Sequence, residues 1–183
     1  SLTTDPDRFS DEAWNLLLAS EDVAQRWRHG HLDVEHLLQV LFNDRAYKNV
    51  VDKLPINHSD LLDRLDDFLA EQPVSRNENL IIGDDLEDLL ESSDHFRSRW
   101  GSRLIEMSHI VMAIGRDQRI GAPLFEELGL PSQRLEAEIQ RSQTPNLQHS
   151  EQSKQQSKSS QEPSKKGFSE TKPAKSSQFF ESN

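Results

Sequence analysis

The sequence predicts an all-α fold, in which a four-helix unit occurs twice with pseudo-two-fold symmetry and a tail follows that builds no core. Three observations carry this. First, apolar residues recur at helical spacing, as in Val34, Leu37, Leu38 and Leu41. Second, each periodic run starts on a capping residue and stops at Pro or Gly. Third, the chain repeats itself. A shift of 73 pairs Asp11 with Asp84, Leu16 with Leu89, Leu17 with Leu90 and Ser20 with Ser93. It also pairs Arg26 with Arg99, Trp27 with Trp100, His36 with His109 and Asp44 with Asp117. Chance pairing at average residue usage would give roughly two such matches over this window. A shift of 74 then pairs Leu54 with Leu128 and Leu61 with Leu135, so one residue is gained in a loop, where insertions are tolerated. Each half would be marginal alone, so the two are expected to share one domain.

The elements follow in order. Ser10 caps an amphipathic helix with Asp11 and Glu12 in its first turn, ending near His29-Gly30. Asp33 opens a central helix to about Asn43; it is apolar on more than one face and is therefore expected to be buried. Val50, Val51 and Leu54 mark a short helix stopped by Pro55. Ser59 is expected to open the next, carrying Leu61, Leu65, Phe68 and Leu69, closed before Pro73. Leu80-Ile81-Ile82-Gly83 is too short for a helix; it either lines a groove edge or closes the linker between repeats onto the core. The second unit begins with Asp84 as cap, and its helix carries Leu86, Leu89, Leu90, Phe96 and Trp100. Glu106 opens the second central helix, a short helix follows Pro123, and Ser132 opens the last one, with Leu135 and Ile139 inward. The domain is expected over residues 1–142, with repeats at about 9–72 and 83–142. Residues 143–183, rich in Ser, Gln and Lys, read as a disordered linker or tail.

Composition narrows the function. The net charge is −11, and the Lys-bearing tail makes the body more acidic still. An acidic body lacks the clustered Lys and Arg of a nucleic-acid-binding face. There is no cysteine, hence no thiol chemistry and no Cys-based zinc site, in keeping with a reducing, cytoplasmic setting. No apolar run approaches a membrane span. No Gly-rich loop with Lys and Ser/Thr is present to cradle phosphates, so no nucleotide, metal or other cofactor is expected. His31 and His36 are five apart with Glu35 before the second, which is not the zinc-protease spacing. The repeated His36 and His109 read instead as structural, each placing a ring nitrogen on nearby backbone. Trp14, Trp27 and Trp100 read as core or half-core residues.

Phe9-Ser10-Asp11-Glu12-Ala13-Trp14, Val34-Glu35-His36-Leu37-Leu38, Gln72-Pro73, Gly83-Asp84-Asp85-Leu86-Glu87-Asp88-Leu89-Leu90 and Leu128-Gly129-Leu130 together resemble the double Clp repeat. This is the N-terminal domain of the Clp class of ATP-driven unfoldases, and the likeness is greatest to the ClpB disaggregase. It covers about residues 5–142. The second repeat departs at Met107-Ser108-His109-Ile110, where the family often has Glu before the His. The resemblance implies a module that binds unfolded or aggregated client proteins, not a catalyst. It also implies a groove between the repeats, and the positions matching it are Ser10, Leu90, Ser102, Ser108 and His109. Partners would be client proteins and possibly Clp ATPase or protease subunits. A stand-alone Clp-repeat protein that adapts or regulates a Clp protease is the other reading of the same residues.

Overall fold

The computed structural model describes residues 1–143. Helix α1 (Asp11–Trp27) starts where the Ser10 side chain accepts a hydrogen bond from the Ala13 N–H. It ends on Arg28, the one described non-glycine residue with positive φ, in the left-handed conformation of a helix C-terminus. A two-residue strand, β1 (His31–Leu32), leads into the central helix α2 (Val34–Asn43). The short α3 (Lys48–Val51) and the longer α4 (His58–Glu71) complete the first unit. Strand β2 (Ile81–Ile82) then enters α5 (Asp84–Arg99), α6 (Met107–Ile114) and α7 (Gly121–Glu127), and a last helix runs over 132–143. None of these helices is long and apolar enough to cross a membrane.

The duplication is visible in detail. Ser20 Oγ donates to the Leu16 carbonyl at 2.7 Å, and Ser93 Oγ to the Leu89 carbonyl at 2.9 Å. Both hydroxyls are buried, and bonding back one turn satisfies each without a partner from another helix. Asp44 accepts from the Ala46 N–H, while its counterpart Asp117 accepts from Ile120 and Gly121. The central helices α2 and α6 are buried along almost their whole length, as the unbroken apolar runs require.

The two halves meet in a reciprocal way. β1 pairs in parallel with β2, Leu32 opposite Ile82, and the Gly83 N–H donates to the Leu32 carbonyl at 2.8 Å. The shift of 73 maps this onto a bridge between Ile105 and Phe9, where the Ser10 N–H donates to the Ile105 carbonyl at 2.9 Å. Each central helix is therefore entered beside the first helix of the other repeat. This produces two pseudo-equivalent junctions, one at the starts of α2 and α5 and one at the starts of α6 and α1.

Two local expectations need correcting. Asn57, not Ser59, caps α4, its side chain accepting from the Asp60 N–H at 2.9 Å. Gly83, not Asp84, is the cap of α5. A Cβ at Gly83 would lie 1.9 Å from an Asp33 carboxylate oxygen, so close packing of the two helix starts demands glycine there. Of the two readings of residues 80–83, closure of the inter-repeat linker holds: Ile81–Ile82 form strand β2, with Ile81 exposed and Leu80 and Ile82 packed on the core. The tail reading lies, from residue 144 on, outside the described residues.

Candidate functional site

The first junction is filled with charge. Asp33 is the N-cap of α2 and accepts from the Val34 N–H. Glu35 lies in the same first turn, and Asp85 in the first turn of α5. Arg119, from the loop before α7, reaches all three. Its Nε donates to Asp85 at 2.7 Å, and its Nη2 bonds Glu35 and lies 3.4 Å from Asp33. Its guanidinium also lies over the Phe68 ring, 5.2 Å from the centroid, a cation–π arrangement. Burial, aided by Glu35, pushes the Asp33 carboxyl up to about 7 although Arg119 opposes this. Burial likewise raises Glu35 against the pull of Arg119. Burial works against the charge on Arg119, but Glu35 and Asp33 hold it above its usual value.

Beneath this cluster the repeated histidine does structural work. His36 Nδ1 accepts from the Asp33 N–H at 3.0 Å, and His109 Nδ1 from the Glu106 N–H at 2.8 Å. These occupy the place of Glu or Gln in a capping box, each satisfying a donor at a helix start. With Nδ1 accepting, the neutral His36 ring carries its proton on Nε2, which meets His29 Nδ1 at 2.8 Å. His29 in turn bonds backbone at Leu69. Burial, then His29, drive the His36 pKa down to about 3, and burial lowers His109. Both rings are fully enclosed. His36→Ala and His109→Ala should each lower the unfolding free energy by about 1–3 kcal/mol, because a buried N–H loses its acceptor. Chemical denaturation checks this, and unchanged midpoints in both variants would show that the capping bonds carry no stability.

The second junction lacks this charge cluster. At the positions of Asp33, Glu35, Asp85 and Arg119, the shift of 73 places Glu106, Ser108, Glu12 and Ala46. No guanidinium crosses it, and a groove of about 220 Å³ lies there, while the cavity beside the Arg119 cluster is larger, about 410 Å³, and lined mainly by polar and charged groups and the exposed Ile81. Its apolar lining comes from α3 and the residues after it (Val50, Leu54), from α6 (Met107, Val111) and from Ile139 of the last helix. Glu12, Glu106, Glu138, Lys53 and Ser108 form its polar rim. Glu138 already pairs with Arg141 at 3.2 Å, whereas Glu12 and Glu106 enter no ion pair among the described residues. Burial, then Asp44 and Glu12, push the Tyr47 hydroxyl up to about 12, which places Glu12 close to the segment that carries Ala46.

The five residues implied by the resemblance fall in different places. Ser108 lines this groove. Ser10 adjoins it through its bond to Ile105, but its hydroxyl is committed to the α1 cap. Ser102 sits at the end of α5, where its carbonyl accepts from Arg97. His109 is buried under the α6 cap, and Leu90, 1% exposed, lies in the core. Glu12, Glu106, Glu138 and Arg119 were not singled out from the sequence. The repeat register held the signal, since it sets Arg119 against Ala46.

The fold and its paired junctions define a duplicated all-α domain whose repeats meet at two pseudo-equivalent contacts, one of them crossed by Arg119. Comparison with known proteins gives the family. Residues 8–128 match the model of the Clp repeat (R) N-terminal domain, and the chain belongs to that family. It is 56% identical over 137 residues to the chaperone protein ClpB 2 of Parasynechococcus marenigrum, covering 75% of this chain and 15% of that protein. It is 30% identical over 139 residues to ClpB 2 of Synechocystis, covering 74% and 16%. The chain thus spans about one sixth of the length of these relatives. Among solved structures, the Hsp104 N-terminal domain of Candida albicans superposes with a TM-score of 0.63 at 16% identity, covering 72% of this chain and 88% of that one. The N-terminal domain of the E. coli ClpV1 ATPase does so at 0.58 and 18%, covering 72% and 83%. These two support the fold.

Proposed function

We propose that this domain is the client-engaging N-terminal module of a ClpB-type, ATP-dependent disaggregase of the cytoplasm. In this reading it captures unfolded or aggregated proteins during stress and presents them to an ATPase module carried elsewhere. The observation that carries this is the groove of the second junction, walled by apolar side chains of both repeats, of which Val50 is the most exposed, and rimmed by Glu12, Glu106 and Glu138. A chaperone must engage many sequences, so its first contact is best made by apolar burial rather than by one hydrogen-bond pattern. Each fully buried aliphatic side chain contributes roughly 1.5–3 kcal/mol before ordering costs, and those costs leave affinities near the micromolar range or weaker. Of the family positions, Ser108 would touch the client, Ser10 would adjoin it through its bond to Ile105, and His109 would hold the start of α6 beneath it.

Ser108→Trp tests the reading. Ser108 is half-buried on the groove, so an indole there fills the cavity without entering the core. Fluorescence anisotropy with a reduced, alkylated model protein should show affinity falling at least about tenfold, which is about 1.4 kcal/mol, with the melting temperature kept. Undiminished binding by the folded variant would exclude this groove as the client site.

A further inference from the structure

We infer that a notch between α1 and α2 of the first repeat is a docking site for the chain's own segment Phe179-Phe180-Glu181, which lies outside the described residues. The notch is a cavity of about 520 Å³ that shares no lining residue with the cavities at the two junctions. Its apolar lining is the buried Val23 and Val40 and the half-buried Ala19, and Arg26 and Arg45 stand exposed beside them. Neither arginine enters an ion pair among the described residues.

The second repeat shows what fills such a notch. The shift of 73 sets Phe96 in the place of Val23, Arg99 in that of Arg26 and Arg116 in that of Asn43. The Phe96 ring lies against both guanidinium groups, Arg116 at 4.8 Å and Arg99 at 5.6 Å from its centroid. Glu136 of the last helix bonds Arg99 at 2.7 Å and lies 3.6 Å from Arg116. A ring, cations on its face and one carboxylate between the cations complete the contact. In the first repeat the ring is cut back to Val23, and the shift of 74 puts Leu62 where Glu136 stands. No residue of α4 lines the cavity. Two cations remain, Arg26 in register and Arg45 two residues past Asn43, without the ring and the carboxylate that complete the second repeat.

The segment supplies both groups. Residues i and i+2 of an extended segment point the same way, about 6.6 Å apart, so Phe179 and Glu181 present a ring and a carboxylate on one side. Phe168-Ser169-Glu170 has the same spacing, but Lys165 and Lys166 before it would sit beside the two arginines, whereas Ser176, Ser177 and Gln178 are uncharged. Asp22 and Asp44 also line the notch and offset Arg26 and Arg45. Net charge therefore draws nothing in, and selection rests on the ring and the carboxylate together. Reach is no obstacle. Gln143 shares a groove with Glu12 at the start of α1, and Val23 lies eleven residues further on, about 16 Å along the helix. The thirty-five residues between Gln143 and Phe179 can span several times that distance. Docking folds the tail back onto the first repeat and shortens the tether it can form.

The test is paramagnetic relaxation enhancement on the full 183-residue chain, which has no cysteine, so that Ser176→Cys takes a single nitroxide. A tethered segment meets its site at roughly millimolar effective concentration, so the amide signals of Val23 and Val40 should lose at least about half their intensity. Arg26→Glu with Arg45→Glu should restore them, and adding Glu181→Arg to that pair should bring the loss back. Both arginines are exposed, so these changes leave the core intact. Phe179→Ser with Phe180→Ser should also restore the signals. Undiminished Val23 and Val40 signals in the parent would overturn the inference, as would a loss that the charge reversal leaves unchanged. Loss at Met107 and Val111 in place of Val23 and Val40 would put the segment in the client groove and overturn it too. Loss seen only between a nitroxide-labelled chain and a separate isotope-labelled chain would give the notch to the tail of a second copy, and the intramolecular contact would fall.

Discussion

Leu90→Arg is expected to unfold the domain. Leu90 lies 1% exposed on α5, and its counterpart Leu17 on α1 is fully buried. α5 packs more extensively on α6 than any other pair of elements does. The substitution therefore puts a guanidinium into a closed apolar layer with no carboxylate built to receive it, and arginine cannot shed its charge. The loss should exceed about 4 kcal/mol. Total stabilities are roughly 5–15 kcal/mol, so a domain of this size would be left with little or no folded population at 37 °C. Loss of the cooperative thermal transition by circular dichroism checks this. A folded variant with a midpoint near the parent's would mean that Leu90 can reach solvent, and would move it from the core to the wall of the client groove. The position was carried over from the family as a groove residue, and this experiment decides between the two places.

The fold was legible because it depends on features that sequence displays. Repeated Leu pairs, a repeated His three residues into each central helix, and Ser10 and Asp33 at helix starts all follow from periodicity and capping. His36 and His109 were readable as backbone partners because a buried imidazole in a first turn has few other groups to meet. Less visible were features that depend on what the second repeat brings to the first. β2 is two residues long, and a pair of isoleucines has no period; only its pairing with His31–Leu32 makes it a strand. The Gly83 cap is imposed by the Asp33 carboxylate from the other repeat, not by its neighbours in sequence. The same holds for the site. Asp33, Glu35, Asp85 and Arg119 look like four unrelated surface charges until the junction gathers them, and Glu12 and Glu106 gain meaning only from the groove they rim.

Arg119→Gln should destabilise the domain, and by more at high pH than at low. Among the described residues, Arg119 is the one cation paired with Asp33, Glu35 and Asp85, and the first two carboxylates are buried. Even with the arginine present, burial holds Asp33 up to about 7 in the folded state against an ordinary value of 3.8, and raises Glu35 as well. A carboxyl raised on folding binds more protons in the native state than in the unfolded chain. Its contribution is therefore fully present below about pH 4 and is lost as pH rises through 7. Removing Arg119 removes the attraction that favours the ionised forms, so both carboxyls move further upward. At pH 5 they can protonate and become neutral acids, and the variant should lose little. At pH 8 they must either ionise unpaired or hold protons against the solvent, and the loss should reach about 2–3 kcal/mol, since Arg119 is partly open to water. Urea denaturation of parent and variant at pH 5 and pH 8 measures the difference. Equal losses at the two pH values would show that Arg119 stabilises through its stacking on Phe68 alone, and no loss at either would show that the first junction holds without its charge.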